Sequence, residues 1–413
     1  MNLTAAREGV SIALDALRSN RVRAALTILG VVIGVATVMA MAAMIGGIRS
    51  SITGQLEALG PKNFIMDRFD QTQVRIVTDG TGGPPWEGKP SITMDEAALI
   101  AELPSIQSVT PSVSASADIK YGTRTIDDVS IRGQGYEWPN YSKGDFVAGR
   151  NFLPTAEKRS SAVIVLSEGL AESLFGQVAP IGKAIRVGGD RFHVIGVYKQ
   201  EPNLFSGAAD RWAVVPPSTA IKRLDADEEW LSLLIVPTAA ATQTRAMDDV
   251  TSLMRTTRGL RPGEENNFAL MRQEAFLELF NRITGAFFLI MLVLSSIGLM
   301  VGGVGVVAIM MISVTERTRE IGVRKALGAT RREILWQFLV ESMTVTVIGG
   351  VIGMALGGGG AFLLSVLTPI PAAVPLWSIV AALAVSAITG IGFGLYPANK
   401  AARLDPVDAL RYE

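Results

Sequence analysis

Residues 283–314 read ITGAFFLIMLVLSSIGLMVGGVGVVAIMMISV and contain no charged side chain. A bilayer crossing needs about 20 consecutive apolar residues, so this run is long enough to cross with tilt. The same criterion finds an uncharged run at 24–48. After Glu341 no charge appears until Lys400, and the prolines within 368–375 divide that stretch in two. The sequence therefore predicts an α-helical membrane protein with four transmembrane helices.

The composition agrees with a membrane protein that carries one water-exposed part. Charged residues make up 18% of the chain, below the quarter or so that is typical of soluble domains, and they concentrate between Arg49 and Arg282. The net charge is zero, which gives no indication of a nucleic-acid partner. There is no cysteine, so disulfides and thiolate metal sites are excluded. The one histidine, His193, lies in a strand-like run, and a single histidine does not build a zinc site.

Basic residues near the ends of the spans predict the orientation. Three clusters fall on one side of the membrane if there are four spans: Arg18, Arg21 and Arg23; Arg317, Arg319, Arg324, Lys325, Arg331 and Arg332; and Lys400, Arg403 and Arg411. We therefore expect both termini to be cytoplasmic and the segment between the first and second spans to be outside.

This orientation gives the expected domain organisation. The segments are 1–20, an amphipathic cytoplasmic-side helix; 21–48, transmembrane helix 1; 49–282, an extracytoplasmic α+β domain; 283–312, transmembrane helix 2; 313–334, a cytoplasmic connection; 335–367, transmembrane helix 3; 376–398, transmembrane helix 4; and 399–413, a cytoplasmic tail. The 1–20 helix fits two roles equally well, a lever that senses a cytoplasmic partner and a simple anchor.

The α+β domain has signals for both helices and strands. Thr93 with Glu96 forms a capping box that opens a helix, and Ser167 caps another that ends at Gly176. Strand-like runs occur at 108–114, 126–133, 162–166, 184–188, 192–198, 212–215 and 231–236. Tyr136, Trp138 and Tyr141 fit either a binding patch or, in preference, buried packing. No catalytic or metal-binding constellation stands out in this domain.

Glycines four residues apart recur in every predicted span. Small residues at this spacing let membrane helices approach closely, which favours a tightly packed, oligomeric bundle. They are Gly30, Gly34, Gly298, Gly302, Gly349, Gly353, Gly357, Gly390 and Gly394. No span has an ionisable residue near its centre, and Glu341 lies near one end of the third. Such a bundle is a poor channel or ion-coupled carrier.

The 313–334 connection has the pattern of two stiff helices joined by a sharp bend. Periodicity predicts that the second span continues as a helix to about Leu327, and Gly328 is a natural left-handed stop. Thr330 then starts the third span with a capping box to Glu333. Anchoring by positive charge does not require a capped hairpin, so we favour a docking surface.

The same connection resembles a family signature. Residues 316–329 read ERTREIGVRKALGA and are similar to the signature of MacB/FtsX-type ABC transporter permeases. The likeness extends to 20–34 for the first span, to Gly149–Phe152, Leu174–Gly176, Pro180–Lys183 and Phe192–Gly196 for the MacB-like periplasmic core domain, and to 396–411 for the C-terminal end.

The resemblance implies a transport subunit, with no catalytic residue of its own, that works as a homodimer or heterodimer on an ABC ATPase in the bacterial plasma (inner) membrane. In such proteins the connection between the second and third spans docks on the ATPase. Carried over here, the docking residues of this coupling hairpin (313–334) are Glu316, Arg317, Glu320, Gly322, Arg324, Lys325 and Gly328. The chain lacks the Gly-x4-Gly-Lys-[Ser/Thr] loop, so we expect a separate subunit to bind ATP and magnesium.

The hypothesis that follows is mechanotransmission, in which ATP-driven movement of the hairpin changes the extracytoplasmic domain. Three outcomes remain open on the sequence. They are export of peptides, drugs or similar substrates, which we favour; extraction of lipoproteins or lipids; and FtsX-like signalling that activates a cell-wall hydrolase. A periplasmic adaptor or a cell-wall protein would be the external partner.

Overall fold

The computed structural model describes residues 21–73, 84–201, 211–367, 372 and 374–411. The amphipathic helix predicted at 1–20 lies outside these residues. The chain divides into two compact units. One, which we call the helical unit, comprises Met1–Ser50 and Ile283–Glu413; the other, the α+β unit, comprises Ser51–Arg282.

The first helix, α1 (Arg21–Leu59), runs beyond the end at residue 48 that the sequence predicted. The charges that begin at Arg49 end the apolar run, but they do not end the helix. Residues 49–59 contain no proline, and the main chain turns only at Gly60, where φ is +87°. A glycine in this left-handed conformation is a common helix terminator. The apolar pattern therefore located the span but not the end of the helix.

The α+β unit contains ten strands and five α-helices within the described residues. In chain order they are β1 (Phe64–Asp67), α2 (Met94–Ala101), β2 (Ile106–Tyr121), β3 (Arg124–Gln134), β4 (Gly144–Gly149), α3 (Pro154–Lys158), β5 (Val163–Ser167), α4 (Glu168–Phe175), β6 (Ala184–Val187), β7 (Asp190–Gln200), β8 (Trp212–Val215), α5 (Pro217–Leu224), β9 (Ser232–Pro237), α6 (Gln243–Thr257) and β10 (Ala269–Arg272).

All ten strands join one sheet. Its order is β10–β1–β9–β2–β3–β8–β5–β7–β4, and β6 pairs with β2 and β7. The pairs β3–β8 and β5–β7 are parallel, while the other pairs are antiparallel. Each of the seven predicted strands is present, and the capping boxes or caps at Thr93 and Ser167 form as predicted. The predicted fold class, an α+β domain between the first and second apolar helices, is confirmed.

The aromatic residues singled out in the α+β unit have separate environments. Trp138 is buried and packs edge-on against Tyr198 and Trp212, with ring centroids 4.7 and 6.4 Å away. Tyr136 is 40% exposed, and its hydroxyl donates to Glu137. Trp138 therefore follows the packing interpretation, and Tyr136 remains at the surface.

Five further helices complete the helical unit within the described residues. They are α7 (Gln273–Glu316), α8 (Thr318–Ala326), α9 (Arg331–Leu367), α10 (Leu376–Ala402) and α11 (Pro406–Arg411). By length and composition, α1, α7, α9 and α10 are able to cross a membrane. Helix α7 begins well before the expected residue 283, because 273–282 contains neither proline nor glycine and is rich in good helix formers.

The glycines of the spans lie at contacts between helices of one chain. Gly30 and Gly34 face α7, Gly298 and Gly302 face α1, Gly349, Gly353 and Gly357 also face α1, and Gly390 and Gly394 face α9. A Cβ atom on Gly30 would lie 2.7 Å from Cα of Gly302, too close for any side chain. In the same seam Ser295 Oγ donates to the carbonyl of Gly34 at 2.7 Å. Helix α1 thus packs closely against both α7 and α9, and the glycines of α10 pack against α9.

Gly353→Leu tests this packing, with Gly359→Leu in the same helix as its matched control. A Cβ on Gly353 would lie 2.9 Å from both the carbonyl oxygen of Val32 and Cβ of Val35, whereas nothing lies within 4 Å of one on Gly359. Overpacking a tight interior costs about 1–3 kcal/mol. We expect a lower thermal unfolding midpoint in detergent for Gly353→Leu alone. Equal midpoints for the two variants would contradict the packing assigned to α1 and α9.

Candidate coupling site between the second and third spans

The helix of the second span is interrupted at Arg317. Helix α7 ends at Glu316 and α8 begins at Thr318, while Arg317 itself has φ −106° and ψ 17°. The hydroxyl of Thr318 donates to the carbonyl of Val314 at 2.9 Å. The prediction of a continuous helix to about Leu327 was therefore wrong, although the amide of Arg317 still donates to the carbonyl of Ser313 at 3.1 Å.

A buried carboxylate lies beside the interruption. Glu341 in α9 has a side chain only 2% exposed. One of its oxygens, Oε1, lies 3.5 Å from Nη1 of Arg317 and 3.5 Å from Oγ of Ser313. Its other oxygen has no hydrogen-bond partner among the described residues. The break between α7 and α8 is thus held against the third span by a long, singly bonded ion pair.

The bend after α8 forms as the sequence predicted. Gly328 has φ +101°, a left-handed conformation that suits glycine. The amide of Ala329 donates to the carbonyl of Arg324 at 3.0 Å, which closes the turn. Thr330 and Glu333 exchange hydrogen bonds, from the Thr330 amide to Glu333 Oε2 at 2.8 Å and from the Glu333 amide to Thr330 Oγ1 at 3.3 Å. The capping box that starts α9 is therefore confirmed.

Helix α8 also packs against the C-terminal helix, a contact that the sequence analysis missed. A Cβ atom on Gly322 would lie 2.8 Å from Cβ of Ala409 in α11. Helix α11 has a recognisable start, since Asp405 Oδ1 accepts from the amide of Val407 at 2.9 Å and Pro406 occupies the first turn. The Asp-Pro pair was a usable signal for this helix, although not for its contact with α8.

The seven predicted docking residues divide into two groups. Four are used in holding the hairpin: Arg317 at the break, Gly322 against α11, Lys325 on main-chain carbonyls at the end of α10, and Gly328 in the turn. The other three offer charge to the surroundings: Glu316 is exposed, and Glu320 and Arg324 form a partly exposed pair at 2.6 Å. An exposed pair of this kind contributes little to stability.

Two exposed apolar residues belong to the hairpin and were not predicted. Val323 in α8 is 43% exposed and Leu327 at its end is 83% exposed. Single exposed apolar residues are common on protein surfaces. Here both belong to a hairpin that also exposes the charges of Glu316 and Arg319. Their exposure had one sequence signal. Both lie in a charged, helical stretch outside the spans, where apolar side chains are not needed to anchor the chain in the membrane.

Two family models match this chain. A model described as a MacB-like periplasmic core domain matches residues 24–253, and one described as an FtsX-like permease C-terminal region matches residues 287–406. The chain belongs to the MacB/FtsX-type family of ABC transporter permeases. Such a permease acts in a membrane with an ATPase partner.

Individual relatives cover the chain to different extents. It is 34% identical, over 96% of its length, to the macrolide export ATP-binding/permease protein MacB of Bdellovibrio bacteriovorus, but spans only 60% of that relative. It is 30% identical, over 98% of its length, to the ABC transporter permease YknZ of Bacillus subtilis, and spans 99% of it. The crystal structure of the periplasmic region of MacB from Actinobacillus actinomycetemcomitans is similar over 55% of this chain and 96% of that one, with a TM-score of 0.45 and 19% identity.

A double-mutant cycle at Arg317 and Glu341 tests the buried pair. Arg317→Gln leaves a buried carboxylate without its cation, which we expect to cost on the order of 3 kcal/mol of unfolding free energy. Glu341→Gln removes the buried charge and should cost less, and the double variant should recover most of the loss caused by Arg317→Gln.

The measurement is unfolding of the full chain in mixed micelles by SDS titration. Glu320→Gln, which breaks the exposed pair to Arg324, serves as the control and should change the unfolding free energy by less than about 1 kcal/mol. Strictly additive effects of the Arg317 and Glu341 substitutions would show that the two side chains do not interact.

Proposed function

We propose that this chain is the permease subunit of an ABC exporter and that a separate ATPase subunit, which binds ATP and magnesium, drives it. The observation that carries the proposal is the hairpin, in which the exposed apolar residues Val323 and Leu327 lie between the break at Arg317 and the turn at Gly328. A docking partner would cover these side chains. The near-complete coverage of a relative named as a permease supports a separate ATPase.

Transmission of force explains the function better than a pore. Helix α7 is 44 residues long, which at 1.5 Å per residue makes a rod of roughly 66 Å. The spans carry no charge at their centres and their seams are closed by glycine contacts. A substrate would therefore be handled by the α+β unit, outside the membrane. This requires that ATP favour one arrangement of the hairpin over another.

The proposed placement follows the positive charges. The three basic clusters support a cytoplasmic location for the hairpin and both termini in a bacterial cell, with the α+β unit beyond the inner membrane. Two copies, or one copy with a similar permease, would meet a dimeric ATPase. Export of peptides, drugs or similar substrates is the favoured activity, in line with the relative named for macrolide export.

Leu327→Asp tests the docking surface. Because this side chain is 83% exposed, we expect the folded chain to tolerate the change, while a buried charge at an apolar interface should reduce binding to the ATPase by at least tenfold. The measurement is the amount of ATPase that copurifies with the full chain from its native host in mild detergent. Leu327→Met keeps an apolar side chain and should retain binding. Full binding by Leu327→Asp would remove Leu327 from the interface.

The same purification separates the alternative activities. An adaptor or a substrate peptide bound to the α+β unit supports export. A bound lipoprotein supports extraction from the membrane, and a bound cell-wall hydrolase supports signalling. Recovery of the chain without any ATPase, in the presence of the intact hairpin, would contradict the proposed function in all three forms.

A further inference from the structure

Lys325 connects α8 to the end of the fourth span. Its ammonium group donates to the carbonyl oxygens of Ala402 and Leu404, each at 2.7 Å. Ala402 is the last residue of α10, and the final carbonyls of a helix lack partners within the helix. The negative end of the helix dipole also favours a cation at this position. Lys325 therefore acts as a helix cap supplied from a distant part of the chain.

The Lys325 ammonium group is partly buried. Burial lowers the pKa of Lys325 from its ordinary value, the positive charge of Arg331 lowers it further, and the negative charge of Asp405 opposes both. The side chain keeps partial exposure, so the attachment rests on the two carbonyl contacts at 2.7 Å rather than on burial.

A second contact, one turn away, fixes the same surface of α8. Gly322 lies so close to Ala409 that any side chain at position 322 would displace α11. Residues 322 and 325 are three apart and share one face of the helix. The chain itself joins α8 to α7 and α9. Through Lys325 and Gly322, α8 is held to α10 and α11 as well.

We propose that Lys325 is a positioning residue that fastens the coupling helix α8 to the C-terminal end of the fourth span, so that α8 and α10 move together. The proposal rests on the proposed function for the source of movement, the ATPase, but the attachment itself does not depend on it. Force applied at α8 would then reach three spans rather than the two that the chain joins to it directly.

The attachment is tested first without any ATPase. The chain contains no cysteine, so spin labels are introduced without background at the exposed positions Arg319→Cys in α8 and Lys400→Cys in α10. Pulsed electron resonance on the full chain in lipid nanodiscs should give a narrow distance distribution. Lys325→Met, which has no donor, should broaden it, whereas Lys325→Arg should keep it narrow.

Two variants guard against a trivial loss of structure. Arg324→Met, at the neighbouring residue whose partner Glu320 lies on the same helix, should leave the distribution unchanged. Lys325→Gln retains one donor group and should broaden it less than Lys325→Met. A distribution for Lys325→Met and Lys325→Gln that matches the wild type would overturn the proposal.

The second measurement uses the complex with the copurified ATPase. Labels at Arg319→Cys and at Lys400→Cys are each paired with one at the exposed Phe362→Cys in α9. A non-hydrolysable ATP analogue should shift both distances in the wild type, but only the Arg319 distance in Lys325→Met. Equal shifts in both backgrounds would overturn joint movement. If the wild type binds no ATPase or shows no shift, the proposed function fails, while the nanodisc experiment still decides whether Lys325 makes the attachment.

Discussion

The structure of the helical unit depends on backbones that touch. Apolar side chains gain little by leaving lipid for one another, so membrane helices associate through close packing and a few hydrogen bonds. At Gly30 and Gly302 the main chains of α1 and α7 approach too closely for any Cβ atom, and Gly353 does the same between α9 and α1. One helix thereby fixes two others. These contacts fix the positions of α7 and α9. They therefore also fix the hairpin that joins the two helices.

The hairpin combines local signals with partners from far along the chain. Gly328 and the Thr330 capping box set the bend from within the hairpin. The break before α8, in contrast, faces Glu341 on the third span, and Lys325 reaches the end of the fourth. The hairpin therefore has a surface with a fixed shape, and Val323 and Leu327 are exposed on that surface. Rigidity of this kind reduces the ordering cost of binding a partner.

Features set by neighbouring residues were predictable from the sequence, whereas features set by distant contacts were not. Spans, caps and strongly alternating strands depend on neighbouring residues. The predicted helix caps at Thr93, Ser167 and Thr330 were correct. The strands Phe64–Asp67, Gly144–Gly149 and Ala269–Arg272 were missed because each has at most one β-branched residue and is defined by pairing with distant strands. The break at Arg317 was missed because the residues around it are compatible with a continuous helix, and its contact with Glu341 joins residues 24 apart. Exposure of Leu327 depends on the whole fold, so its place in a charged, helical stretch was only a weak local signal.

The glycine run of the third span has a mechanical consequence. Gly357 presses on α1, but Gly358, Gly359 and Gly360 have nothing within 4 Å of where a side chain would be. Each glycine is about 1 kcal/mol less favourable than alanine in a helix interior, so these three weaken α9 without adding contacts. The helix is therefore less strongly stabilised along this run than where its glycines pack on α1. Bending of α9 will concentrate at this run and leave the glycine seam with α1 undisturbed.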